Sequence, residues 1–262
     1  MNLIESIILG IIQGLTEFLP VSSSGHLELG KALLHIKLAD NLLFSIIVHT
    51  ATTLSTIIVF WKDIILIIKD LFKFEWNEST QFAAKITLSM IPIGIVGLLF
   101  KETVEGFFQG DIELVGMMLC LTGFLLSFTY FAEDKKGGTL TFGRAAIIGI
   151  AQAIAIIPGI SRSGATISTA ILVGVDKSKA ARFSFLMVIL PILGATLLEI
   201  KDYLTQASSH DLSMTALGAG FTAAFITGLF ACKLMIDLVK KGKLIYFAIY
   251  CFVVGVSVVI FF

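Results

Sequence analysis

Charge is what this sequence has least of. Lys, Arg, Asp and Glu make up 15% of its 262 residues, and 19 basic side chains cancel 19 acidic ones. A soluble domain carries about 25% charged residues, so an ordinary water-facing surface is excluded. The absence of a basic excess excludes nucleic-acid binding. No Lys or Arg precedes Lys31, so the basic region of a secretory signal peptide is not expected. Cysteines number three, Cys120, Cys232 and Cys251, all in apolar runs without metal-ligand spacing. They read as small packing residues, not as a redox or metal centre.

What remains is oil. Hydrophobic residues make up 56% of the chain and mean hydropathy is +0.96. Six apolar runs, about 42–61, 82–100, 112–132, 183–200, 212–232 and 244–262, approach the roughly 20 residues a transmembrane helix needs. The fold expected is an all-α polytopic membrane protein. Basic residues concentrate in segments 62–81, 133–144, 176–182 and 233–243, with Lys135 and Lys136 in the second; 101–111 and 201–211 hold one each, Lys101 and Lys201. The positive-inside rule puts the first four segments in the cytoplasm and the last two outside. Six spans then alternate without conflict.

Two apolar stretches, 3–35 and 145–175, are interrupted near their middles by Pro, Ser and Gly. Each predicts a re-entrant helix–turn–helix, because non-helical backbone at membrane depth must be buried in protein or line a wet cavity. They are also related. "GIIQGLTEFLPVSSSGH" from Gly10 and "GIAQAIAIIPGISRSGA" from Gly149 match at an offset of 139, and Phe44-Ser45 matches Phe183-Ser184 at the same offset. The chain therefore reads as one integral membrane domain, 1–262, built of repeats at about 3–132 and 142–262. Three spans separate equivalent points, so the second repeat is inverted, and its site is expected where the two broken helices meet.

The differences between the halves describe that site. The first turn supplies Glu17, Ser23 and His26 where the second has Ile156, Arg162 and Ala165. Ionisable groups at membrane depth are costly and are functional candidates by default. Gln13 and Glu17 share one helix face and can offer oxygens to a hard cation. Arg162 presents a fork suited to phosphate. Ser161, Ser163 and backbone near Gly164 can cradle an anion at a helix start. His26 can move a proton, and a serine beside it can attack. This set suits phosphoryl transfer, yet a transporter with an anion site would bury similar groups. Both readings stand on the residues alone.

At these residues the sequence resembles the undecaprenyl pyrophosphate phosphatase family, membrane enzymes of the bacitracin-resistance type. "QGLTEFLPVSSSGH" follows its first motif and "PGISRSG" its second; "FWKD" and "FSFLMVILPILGAT" extend the likeness across the chain. The resemblance implies hydrolysis of a C55 polyprenyl diphosphate to the monophosphate carrier of cell-wall synthesis, in the bacterial cytoplasmic membrane, with the site open to the external face. It implies Glu17 in metal binding or proton transfer; Ser22, Ser23, Ser24 and Gly25 around phosphate; Ser23 or His26 as nucleophile; and Arg162 with Ser161, Ser163 and Gly164 holding the diphosphate. It implies Mg²⁺ or Ca²⁺, held by Glu17 and Gln13, although many members carry Glu where Gln13 stands. A polyprenyl-phosphate flippase is the alternative, and a homodimer is left open. Of the two nucleophiles Ser23 is preferred, with His26, one helical turn on, as the group expected to take its proton.

The remaining polar residues have plainer readings. His49, Thr50, Thr52 and Thr53 are expected to hydrogen-bond neighbouring helices or carbonyls of their own span, and His35 and His210 to sit in loops. Pro92 and Pro191 are expected to kink spans. "KDIILIIKDLF", 62–72, reads as a short interfacial helix.

Overall fold

The computed structural model describes residues 1–36, 41–107, 110–132, 137–205 and 213–261; Lys135, Lys136, His210 and the outer ends of the spans expected at 212 and 262 lie outside them. The described residues form helices and no strands.

The chain opens on α1, Leu3–Thr16, started by a capping box. The Asn2 side chain accepts from the Glu5 N–H, and the Glu5 carboxylate accepts from the Asn2 N–H, which satisfies donors a helix start leaves free. A turn leads to α2, Ser23–Leu33. This helix doubles back on α1: a Cβ on Gly30 would stand 3.0 Å from Leu9 and 3.1 Å from Ile12. Next come α3, Asn41–Val59, and α4, Trp61–Leu71, with a 74° bend between them. The second helix buries none of its residues and shows Trp61, Leu66 and Ile68 to the outside, as a helix lying at a lipid boundary does. Then follow α5, Glu78–Leu99, the short α6, Lys101–Gly106, and α7, Ile112–Phe131.

The second half runs α8, Phe142–Ile154; α9, Arg162–Leu172; α10, Lys177–Met187; α11, Ile189–Thr205; α12, Met214–Lys240; and α13, Ile245–Phe261. Helices α10 and α11 are parted only by Val188. Pro191 has no N–H to give the Met187 carbonyl, which breaks the helix at this point. The expected span at 183–200 thus starts earlier, at Lys177, and is broken near its middle.

Among the described residues four helical stretches are long and apolar enough to cross a membrane, Glu78–Leu99, Ile112–Phe131, Lys177–Leu198 and Met214–Lys240. The bent α3–α4 pair makes a fifth; α13, with 17 residues, is shorter. Burial is arranged for lipid. Leu98, Phe131, Leu197, Phe230 and Ile260 lie on the outside, while Gln13, Thr52, Ser55, Thr56, Gln152 and Ser168 lie inside. With hydrocarbon outside, a polar group finds partners only within the protein.

Two pairs of helices correspond at the sequence offset. The bounds of α9 are those of α2 moved along by 139 residues. Helix α1 packs along α12, and its counterpart α8 packs along α5. The first contact needs Gly14, where a Cβ would stand 1.9 Å from Thr227 Oγ1 and 2.5 Å from the Ala224 carbonyl. A Cβ on Gly94 or Gly97 of α5 would meet nothing within 4 Å, whereas one on Gly228 of α12 would lie 2.9 Å from Ser55 Oγ.

Candidate active site

The two turns meet crosswise. A Cβ on Gly25 would lie 3.1 Å from Gly159 Cα, and one on Gly164 would lie 3.3 Å from Pro20 Cβ. These two contacts exchange when the numbering moves by 139. Each turn also has a support from a long helix: Thr122 of α7 donates to the Gly159 carbonyl at 3.0 Å, and the Cys251 thiol of α13 donates to the Pro20 carbonyl at 3.6 Å. Cys251 is thus a packing residue that also satisfies a buried turn. Gly159 has φ +93°, a backbone open to glycine and strained for other residues.

Each turn starts its second helix with a serine cap. Ser22 Oγ accepts from the Gly25 N–H at 3.3 Å and lies 3.4 Å from Ser24 Oγ. Ser161 Oγ accepts from the Gly164 N–H at 3.1 Å and lies 3.3 Å from Ser163 Oγ. Ser163 Oγ then reaches across to donate to the Leu19 carbonyl at 3.3 Å. The first-turn N–H groups of Ser23, Ser24, Arg162 and Ser163 are those that a helix start offers to an anion. The symmetry breaks at Ser22, whose φ is +70°, against −73° at Ser161. A non-glycine residue held there costs about 1–3 kcal/mol, and the distortion lies one residue before Ser23.

Glu17 is the hub. One carboxylate oxygen takes the Arg162 guanidinium, with Glu17 5% exposed and Arg162 26%. The other accepts the Ser23 hydroxyl at 2.6 Å and the Gln13 amide N–H at 2.9 Å. The proton acceptor beside Ser23 is therefore Glu17. His26 is turned elsewhere: Nδ1 lies 2.9 Å from the Ser22 carbonyl, Nε2 lies 2.8 Å from the Tyr250 hydroxyl, and the two rings stack at 5.6 Å. Because a carbonyl only accepts, Nδ1 carries hydrogen, and in the neutral ring Nε2 accepts from Tyr250.

The structure thus joins Gln13, Glu17, Ser23 and Arg162 in one network and puts Ser22, Ser24, Gly25, Ser161, Ser163 and Gly164 in its walls. His26 stands at its edge. Tyr250 was not singled out from the sequence, since one phenol in an apolar span gives no pattern. Thr52, Thr56, Thr166 and Ser184, which line a small cavity beside Glu17 and Arg162, were likewise missed as site residues. His49 has the plain role, its Nδ1 on the Ser45 carbonyl at 2.9 Å.

Fold and site together define an integral membrane protein whose two helix–turn–helix elements bring a serine hydroxyl, a carboxylate and an arginine to one point. The family described as bacitracin resistance protein BacA matches residues 6–257, and the chain belongs to that family. It is 53% identical over 261 residues to an undecaprenyl-diphosphatase of Bacteroides fragilis, covering 99% of this chain and 98% of the relative. An undecaprenyl-diphosphatase of Christiangramia forsetii is 56% identical, covering 100% and 98%. One from Halothermothrix orenii is 40% identical, covering 99% and 98%.

Proposed function

We infer that this protein is a membrane phosphatase that hydrolyses undecaprenyl diphosphate to undecaprenyl phosphate and inorganic phosphate, recycling the lipid carrier of cell-wall synthesis. The observation that carries the mechanism is the Ser23 hydroxyl at 2.6 Å on Glu17, with Arg162 on the same carboxylate. Glu17 takes the Ser23 proton as Oγ attacks the terminal phosphorus. The bond from that phosphorus to the bridging oxygen breaks, and the polyprenyl monophosphate leaves. Water then attacks the phosphoserine, the bond to Oγ breaks, Ser23 recovers its proton from Glu17, and both protons of the water leave on the inorganic phosphate. Arg162 and the first-turn N–H groups of α2 and α9 neutralise the phosphoryl oxygens. A transporter needs no serine poised on a carboxylate, so the flippase reading is not favoured.

Mg²⁺ or Ca²⁺ fits these residues in one respect. Gln13 Oε1 is a fully buried amide oxygen with no donor, one helical turn from Glu17. Among the described residues no three His, Cys, Asp or Glu side chains converge. Gln13 and Glu17 would hold the ion, with most of its ligands from substrate and water, as Mg²⁺ prefers. It would supply the charge neutralisation that one arginine cannot give a diphosphate.

The six spans, the inverted repeat, the cytoplasmic-membrane location and the external opening belong to the same reading. The matched bounds of α2 and α9 and the exchanged turn contacts support the repeat, and the Lys and Arg distribution supports the orientation. The test is phosphate release from undecaprenyl diphosphate by purified protein in detergent with Mg²⁺. Wild type turns over and Ser23→Ala does not. A Ser23→Ala variant as active as wild type removes the serine mechanism.

A further inference from the structure

Beside the Glu17–Arg162 pair lies a cavity of about 20 Å³ lined also by Thr52 and Thr56 of α3, Thr166 of α9 and Ser184 of α10. The three threonines have committed their protons. Thr52 Oγ1 donates to the Val48 or His49 carbonyl at 3.2 or 3.0 Å, Thr56 Oγ1 to the Thr52 carbonyl at 3.1 Å, and Thr166 Oγ1 to the Arg162 carbonyl at 2.9 Å. Their lone pairs are what remains. Ser184 differs: it is 4% exposed, and its hydroxyl has no hydrogen-bond partner, not even the carbonyl one helical turn before it. Buried hydroxyls are nearly always satisfied, by protein or by ordered water.

Size and charge choose the occupant. A water needs roughly 10–15 Å³ of such space and two to four polar partners, and this cavity supplies both. Gln13, whose free oxygen would hold a metal, does not line this cavity, and the cavity's one carboxylate, Glu17, is already paired with Arg162. A neutral molecule with two protons to give and lone pairs to receive one matches acceptors on the threonines and Glu17 and a donor on Ser184. We propose that this cavity holds one ordered water, bound by the Ser184 hydroxyl and resting against the Glu17–Arg162 pair, and that Ser184 is thereby a positioning residue for the carboxylate that activates Ser23. The water fixes the rotamer of a side chain whose other partners must rearrange when a diphosphate arrives. The role assigned to Ser184 rests on the reading of Glu17 as the base for Ser23; the water itself does not.

The test is a wild-type structure at a resolution that shows waters, with kcat and KM for Ser184→Ala and Ser184→Gly. The water should appear within hydrogen-bond distance of Ser184 Oγ. Ser184→Ala should lower kcat about tenfold, the scale of one lost hydrogen bond at a charged group, with KM nearly unchanged. Ser184→Gly leaves space for a second water where the hydroxyl was, and should recover much of that loss. A packing role predicts the opposite order, because glycine leaves the larger hole and weakens the helix. No water density at Ser184, a wild-type kcat in Ser184→Ala, or a glycine variant slower than the alanine one overturns the proposal. An active Ser23→Ala variant, with the water in place, would instead remove the base reading and with it the positioning role.

Discussion

Replacing Glu17 by Gln tests the centre of the mechanism with almost no change of shape. The carboxylate accepts from Arg162 on one oxygen and from Ser23 and Gln13, at 2.6 and 2.9 Å, on the other. A glutamine has one oxygen for these three donors. If that oxygen faces Arg162, an N–H₂ group meets the Ser23 hydroxyl and the Gln13 amide. If it faces Ser23, the guanidinium meets an N–H₂ group. In either pose the base is gone. A positioned general base contributes about 10²–10⁴-fold, roughly 2.7–5.4 kcal/mol at 1.36 kcal/mol per tenfold. Breaking a fully buried ion pair costs about 3–5 kcal/mol of stability; Arg162 is 26% exposed, so solvent relieves part of this and a folded variant is expected. The assay is initial phosphate release from undecaprenyl diphosphate at saturating Mg²⁺, with folding checked by circular dichroism. We expect kcat to fall at least about a hundredfold. A variant within tenfold of wild type would refute Glu17 as the base.

Four further changes separate the remaining roles. Arg162→Lys keeps the charge and loses the fork; it should fold and lose most activity, and wild-type turnover would take Arg162 out of the phosphate site. Tyr250→Phe keeps the ring stack and frees His26 Nε2; if that bond only orients His26 at the rim, kcat should fall less than about tenfold, less than the loss of a catalytic base, and an inactive, folded variant would make His26 central. Gln13→Glu adds a charge one turn from Glu17 and should lower the Mg²⁺ concentration for half-activity, about tenfold for 1.4 kcal/mol of tighter binding; an unchanged midpoint would anchor the ion elsewhere. Gly14→Ala drives a methyl group to 1.9 Å from Thr227 Oγ1, so α1 must lift from α12 at about 1–3 kcal/mol or more; thermal unfolding in detergent should show the loss, and an unshifted midpoint would contradict the close contact.

The parts of this protein legible in the sequence are those whose physics is local. Hydropathy over a window of residues separates lipid-facing helices from turns. Ser22 and Ser161 announce helix starts because a capping hydroxyl needs only an N–H three residues on. The Gln13–Glu17 pair follows from helical spacing, and the offset of 139 aligns two turns residue by residue without any knowledge of where they lie. The interfacial helix after α3 and the break before Pro191 are local in the same way, whereas the partners of the site were decided by tertiary packing. Ser23 faces Glu17 because the turn enters α2 through a strained Ser22, with φ +70°, and His26 faces a phenol 224 residues away. Ser184 lines the cavity beside Glu17 only because α10 packs against α9, close to where α3 brings Thr52 and Thr56. Such contacts depend on where separate helices come to rest against one another. A single chain read in order encodes that placement only in the sum of all its packing, and no spacing of two residues reveals it.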